Sequence, residues 1–165
     1  MKILTLIRHA AANNKQISQA DSERSLSTMG RFDGENIAQQ LKRRNCLPDY
    51  LLCSPAKRTV QTATILCQTL QLNPKLIKID NAIYSGDLEA ILNSLYGLTT
   101  GQQLFVIGHN PTLSDLAHRL CDASKTIILP PAGVISLKFA IKSWDALLKI
   151  SGKLLFFIKP NHEPC

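Results

Sequence analysis

Tyr50-Leu51-Leu52-Cys53-Ser54-Pro55-Ala56-Lys57-Arg58-Thr59-Val60-Gln61-Thr62-Ala63 is the stretch whose reading decides the fold. Four apolar, β-prone residues run into Ser54-Pro55, a capping residue followed by a proline. The spacing predicts a short strand over 50–53, then a helix with Ser54 as its N-cap and Pro55 in its first helical position. Val60, Ala63, Cys67 and Leu70 then fall on one face. A strand that passes straight into a capped helix is the unit from which parallel sheets are built.

The same unit recurs on either side. Short β-rich runs occupy Lys2–Ile7, Leu76–Ile79, Leu104–Ile107, Val134–Ala140 and Leu154–Lys159, several of them apolar throughout, as strands covered on both faces should be. Helical periodicity fills most of the gaps. From about Thr28 to Arg44, the residues Gly30, Gly34, Ile37, Ala38 and Leu41 share a face. Asp33 and Glu35 come early and Lys42, Arg43 and Arg44 late, in the sense the helix dipole favours. A third helix over Asp87–Tyr96 aligns Leu88, Ile91, Leu92 and Leu95. A fourth is expected to start at Asn110-Pro111 and to bury Leu113, Leu116, Ala117 and Leu120. Strand and helix alternate, so the expected fold class is a three-layer α/β/α architecture with a mostly parallel central sheet. In such folds ligands bind beyond the carboxyl ends of the strands.

The 165 residues contain no internal repeat, low-complexity tract or long linker, and the expectation is a single domain over 1–165. With 45% hydrophobic and 19% charged residues, the composition is that of a soluble globular chain. A chain of this size buries roughly 70% of its extended surface and needs no staple. The five cysteines Cys46, Cys53, Cys67, Cys121 and Cys165 are never spaced as Cys-x-x-Cys, which indicates neither a zinc site nor a disulfide framework. Ile3–Ile7 is too short for a signal-peptide core, and no stretch reaches the ~18 apolar residues of a membrane span. We therefore expect a cytoplasmic protein with reduced thiols and no membrane partner. The net charge of +7 suits nucleic acid, an anionic surface or a phosphorylated substrate alike.

Three polar clusters stand where strands give way to helices: Arg8-His9, then Ser54 to Arg58, then Gly108-His109-Asn110-Pro111. Helix N-termini present unpaired N–H groups and positive potential, so these clusters brought together would trap an oxyanion, with phosphate the obvious guest. Taken singly, each has a plainer reading. Arg8-His9 can be a surface pair, and His109 can simply close a helix start. Arg58 is the exception, because a cation in a first helical turn meets potential of its own sign and loses about 0.3–1 kcal/mol unless an anion binds there.

These segments resemble the histidine phosphatase superfamily, also called phosphoglycerate mutase-like. In that family a strand ends in Arg-His-Gly, a second leads into Ser-Pro-x-x-Arg-x-x-Gln-Thr-Ala, and a later one ends in Gly-His. The matching text is Leu6-Ile7-Arg8-His9-Ala10, Ser54 to Ala63, and Val106-Ile107-Gly108-His109-Asn110, with Arg24 to Gly30 similar to the family's Leu-Thr-x-x-Gly stretch. The resemblance implies a two-step phosphoryl transfer without cofactor or metal. His9 would attack phosphorus and form a phosphohistidine that water then hydrolyses. Arg8 and Arg58 would fork around phosphoryl oxygens, and His109 would complete the clamp as a donor. Arg24 is either a further phosphate ligand or a solvated loop residue.

Two departures from the family pattern matter. Ala10 replaces the family glycine, and a positive φ there would make its Cβ cost about 1 kcal/mol or more. No residue clearly matches the glutamate that larger members use as general acid. Asp87 and Glu89 are the only carboxylates in that region, and Asp87 reads more naturally as a helix cap than as the acid. A site lacking an acid suits a labile P–N bond over an alkyl phosphate ester. Together with the short chain, this makes the SixA-type phosphohistidine phosphatases the nearest likeness and a phosphorylated protein the expected partner. The alternatives are a small-molecule phosphomonoesterase acting on a sugar or nucleotide phosphate, and a degenerate module that binds phosphate without turnover. Aromatics make up only 5% of the chain and no binding motif accompanies the charge, so no nucleic acid partner is expected. The remaining residues carry plainer expectations: His118 in solvent, His162 in a tail, Trp144 and Phe139 packed, and Pro130-Pro131-Ala132-Gly133 either as a loop at the rim of the site or simply as a rigid turn.

Overall fold

The computed structural model describes residues 1–121 and 126–160. In chain order the elements are β1 (Lys2–Arg8), α1 (Thr28–Arg43), β2 (Tyr50–Cys53), α2 (Lys57–Leu70), β3 (Ile77–Ile79), α3 (Ala82–Ser85), α4 (Leu88–Tyr96), β4 (Gln103–Gly108), α5 (Thr112–Leu120), β5 (Val134–Phe139) and β6 (Lys153–Ile158). Short 3₁₀ turns occupy Asp21–Glu23, Pro74–Leu76 and Trp144–Lys149. The strands form one six-stranded sheet in the order β3-β2-β4-β1-β5-β6. β3, β2, β4 and β1 run parallel, while β5 and β6 join antiparallel. The mostly parallel α/β/α arrangement is the one the sequence predicts.

Each sheet face has its own core, because alternate residues of a central strand point to opposite sides. Leu4, Leu6, Leu104 and Val106 pack with residues of α4 and α5 and with Trp144 and Phe139. Ile7, Leu51, Phe105 and Ile107 pack with Ile37, Ala38 and Leu41 of α1 and with Ala63, Leu66, Cys67 and Leu70 of α2. Between β1 and β5 the buried hydroxyls of Thr5 and Ser136 satisfy one another at 2.9 Å, so neither carries an unmet polar group into the core. β6 is less covered than the central strands. Leu154, Leu155 and Phe157 are exposed, since this last strand lies at the sheet edge.

The helix starts differ from expectation in an informative way. α1 is capped by Ser27, whose side chain accepts from the Gly30 N–H at 3.0 Å. Its inward face holds Gly30, Gly34, Ile37, Ala38 and Leu41, but also Asp33, only 3% exposed. Asp33 thus belongs to the packed face and not to a solvated first turn. Ser54 is not the N-cap of α2: that helix starts at Lys57, with Ala56 in the capping position and no side-chain cap. α5 likewise starts at Thr112, with Pro111 in the cap position after a cis Asn110–Pro111 bond. Asn110 instead sends its Nδ2 to the Leu129 carbonyl at 2.8 Å. Ser54 Oγ meets His109 Nε2 at 2.7 Å and the Ala56 N–H at 3.3 Å, so both polar residues lie around the carboxyl ends of the strands and neither caps a helix.

Candidate active site

Parallel pairing aligns the two histidines. Arg8 of β1 lies in register with Gly108 of β4, so the next residue on each strand is a histidine. The His9 N–H donates to the Gly108 carbonyl at 3.0 Å and its own carbonyl accepts from the Ala132 N–H at 3.1 Å. The rings of His9 and His109 meet edge to face with centroids 5.0 Å apart. β2 lies on the other side of β4, with Cys53 level with Ile107, which delivers Ser54 and the start of α2 to the same place. The three sequence clusters therefore share one end of the sheet.

Close approach there depends on missing side chains. A Cβ on Gly108 would lie 2.7 Å from Ile83 Cγ2, and one on Gly30 would lie 1.9 Å from the Ala11 carbonyl oxygen. Gly30 thus lets α1 abut the segment that leaves β1. Ala10, by contrast, is not among the residues with positive φ. Its Cβ is fully buried in the core and its N–H donates to Thr62 Oγ1 at 3.2 Å. The backbone is compatible with alanine, and the departure from glycine carries no strain.

Arg58 is at the centre of the pocket. It is 6% exposed and commits most of its fork. Nε donates to His9 Nε2 at 3.2 Å, NH1 to the Asp21 carbonyl at 2.6 Å, and NH2 to Asp21 Oδ2 at 2.8 Å and His109 Nδ1 at 3.3 Å. Because guanidinium can only donate, these contacts fix both tautomers. His9 carries its proton on Nδ1, which donates to the Ala10 carbonyl at 2.8 Å, and its Nε2 lone pair faces Arg58. His109 accepts at Nδ1 and carries its proton on Nε2, 2.7 Å from Ser54 Oγ.

Both imidazoles are neutral. Burial is the main cause that pushes His9 down to about 4, reinforced by the positive charges of Arg58, Arg8 and Arg24 against the hydrogen bond to Ala10. His109 is pushed down to about 3, again chiefly by burial and then by His9 and Arg58, with Asp21 opposing. A neutral His9 whose Nε2 lone pair is turned away from Ala10, toward Arg58 and the cavity, is a competent nucleophile once phosphorus displaces the Arg58 hydrogen bond.

The cavity of about 680 Å³ is lined by Arg8, His9, Arg24, Arg58 and His109, together with Asp21, Tyr84, Gly86 and Pro131. Arg8 also donates from NH1 to the Leu129 carbonyl at 2.9 Å. All five basic residues singled out in the sequence are brought together. Asp87 is not: it caps α4, accepting from the Glu89 N–H at 3.0 Å, and Gly86 takes its place in the wall. Glu89 pairs with Arg119 at 2.6 Å. His118 is exposed, Pro131 lines the rim as expected, and His162 lies outside the described residues. Among the described residues no cluster of His, Cys, Asp or Glu could hold a metal ion.

The middle stretch, Ser54 to Ala63, is explained by what it holds. Gln61 Oε1 accepts from the Leu26 N–H at 2.8 Å, Thr62 holds Ala10, and Thr59 Oγ1 donates to the Ser54 carbonyl at 2.8 Å. Sequence reasoning missed three participants. Asp21 lies in a three-residue 3₁₀ turn without periodicity, and only its spacing to Arg24, an ion pair at 3.0 Å, signals it. Tyr84, whose ring centroid lies 5.6 Å from that of His109, sits on the four-residue α3. Ser54 was read only as a cap.

A parallel sheet with paired imidazoles and an arginine cluster at its carboxyl end defines a phosphoryl-handling α/β protein. Residues 4–91 match the model of the histidine phosphatase superfamily (branch 1), and the chain belongs to that family. It is 29% identical over 159 residues to an uncharacterized chloroplastic protein of Arabidopsis thaliana, covering 90% of this chain and 72% of the other. The fold is shared with a protein assigned as the phosphohistidine phosphatase SixA of Agrobacterium tumefaciens, at TM-score 0.81 and 23% identity over 96% and 98% of the two chains. It is shared equally with a protein histidine phosphatase SixA complexed with tungstate, at TM-score 0.82 and 22% identity over 96% and 97%. Among the described residues no helix is long and apolar enough to cross a membrane.

Proposed function

We propose that this chain, acting as one histidine phosphatase domain over 1–165, hydrolyses phosphohistidine on proteins through a covalent phosphohistidine on His9. The observation that carries the reading is the pair of neutral imidazoles beside Arg58, with the His9 Nε2 lone pair 3.2 Å from the Arg58 Nε–H. Nε2 attacks phosphorus, an N–P bond forms, and the bond to the leaving group breaks with its electron pair on that group. Water then attacks phosphorus and returns the pair to Nε2. The Ala10 carbonyl holds the Nδ1 proton throughout and so keeps the ring oriented.

Arg8, Arg24 and Arg58 neutralise the equatorial oxygens, where phosphoryl transfer concentrates the stabilising work. His109, locked through Nε2 to Ser54, turns Nδ1 to the same space and becomes a donor once the bound phosphoryl dianion raises its proton affinity. The name of the tungstate-bound SixA neighbour supports a site for a tetrahedral oxyanion and a protein phosphohistidine substrate. So does the absence of a poised acid among the described residues that line the cavity, since an imidazole leaving group needs less help than an alkoxide.

A turnover panel tests the reading. The expected result is hydrolysis of a histidine-phosphorylated protein far faster than of sugar or nucleotide phosphates, undiminished by EDTA. Fast release of phosphate from sugar phosphates with none from the phosphohistidine protein would assign a small-molecule phosphomonoesterase instead. Tungstate binding without any turnover would assign a phosphate-binding module.

A further inference from the structure

Among the described residues that line the pocket, Asp21 alone is acidic. Its Oδ2 meets Arg58 at 2.8 Å and its Oδ1 meets Arg24 at 3.0 Å, while its backbone carbonyl takes a second bond from Arg58 at 2.6 Å. The side chain is still 44% exposed, so the carboxylate faces the cavity from a turn fastened to α2. For a site that only had to bind a phosphate dianion, this placement is adverse, because it sets like charge beside the ligand. The groups around it are cationic or neutral: Arg24 on its own segment, Arg58 on α2, Arg8 and His9 at the end of β1, and His109 after β4. Glu23 and Lys57 line a neighbouring hollow instead.

We propose that Asp21 makes the pocket selective for phosphoryl donors whose leaving group is a protonated nitrogen heterocycle, by setting a fixed negative charge beside that group. The inference rests on the phosphohistidine reading above and names what in the site enforces it. The carboxylate is held ionised by hydrogen bonds from Arg24 and Arg58, so it has no proton to give to a departing alkoxide. A phosphorylated imidazole asks for none. When its distal nitrogen is protonated the ring is cationic. As the N–P bond to His9 forms, the substrate P–N bond breaks with its electron pair on the leaving nitrogen. The heterocycle then departs neutral, keeping its distal proton. Asp21 favours that protonated form of the substrate, and the ring of Tyr84 in the same wall offers an apolar surface to a flat heterocycle.

The test compares kcat/KM of the wild-type protein and Asp21→Asn on free phosphohistidine and on p-nitrophenyl phosphate, whose leaving group departs as a stable anion. The ratio of the two is expected to fall about tenfold in the variant near pH 8, where the substrate imidazole in solution is mostly neutral. The deficit should close near pH 5.5, where it is already protonated. Asp21→Glu should keep the ratio. Equal losses on both substrates at every pH would overturn the proposal and leave Asp21 as a positioning residue for Arg58. A wild-type protein inert toward both free phosphohistidine and a histidine-phosphorylated protein but active on the aryl ester would overturn the underlying reading together with the proposal.

Discussion

Arg58→Lys keeps the charge of the pocket but removes its fork. The arginine donates from three nitrogens to His9, His109 and two atoms of Asp21, and an ammonium can present its donors from only one point. Charge-assisted hydrogen bonds contribute about 1.5–3 kcal/mol each, but only those strengthened in the transition state affect turnover. One lost oxyanion donor typically costs about 2.7–4 kcal/mol, or 10²–10³ in kcat. That is the loss expected for Arg58→Lys, and Arg58→Ala should lose at least a further tenfold because the buried charge goes too. Steady-state kinetics on a phosphohistidine substrate measure both, with circular dichroism confirming the fold. A lysine variant within about fivefold of wild type would refute the fork geometry, since a point charge would then suffice.

Other consequences follow from the same packing and charges. Gly30→Ala places a methyl group 1.9 Å from the Ala11 carbonyl oxygen. It should cost about 3 kcal/mol or more, seen as a drop in Tm of roughly 6–12 °C, and an unchanged Tm would contradict the close approach of α1. Ser54→Ala frees the His109 Nε2 proton and leaves a buried donor unmet, so kcat should fall about tenfold with about 1–3 kcal/mol of stability; unaltered kinetics would show that the ring needs no such anchor. His9 and His109 have folded values of about 4 and about 3, below the ordinary 6.5. The unfolded chain therefore binds more protons between those values, and stability is complete above about 6.5 and lost on acidification toward about 4. Urea titrations across that window should show a falling midpoint, which is smaller in His9→Ala. No difference between the two proteins would argue against a buried neutral His9.

Much of the fold is legible because it is written in apolar runs with polar punctuation. β1, β2 and β4 are central strands covered on both faces, so Leu4, Leu6, Leu51, Val106 and Ile107 leave an uninterrupted signal. Arg8, His9, Ser54 and His109 mark where each strand ends. Because neighbouring parallel strands end level, residues from three places far apart in the chain are brought together by register alone. The two helix starts were misread for a related reason. Ser54 and Asn110 have the chemistry of caps, but Ser54 Oγ turns to His109 and to the Ala56 N–H, and α5 starts at Thr112, which leaves Asn110 outside the capping position with its Nδ2 on the Leu129 carbonyl. β6 is legible as a strand from its apolar side chains, but its place at the sheet edge, which leaves Leu154 and Leu155 in solvent, is set by strand order and not by its own residues. Asp21 and Tyr84 were out of reach because turns of three or four residues have no period to detect. The one acidic side chain among the described residues that line the pocket therefore sits on a segment with no periodicity to read.

The account stands or falls on a covalent phosphoryl group on one histidine. Rapid quench with a ³²P-labelled phosphohistidine protein, followed by peptide mapping, should recover acid-labile, alkali-stable label on the peptide that contains His9, and none in His9→Ala. Label on His109 or on a carboxylate, or full turnover by His9→Ala, would contradict it.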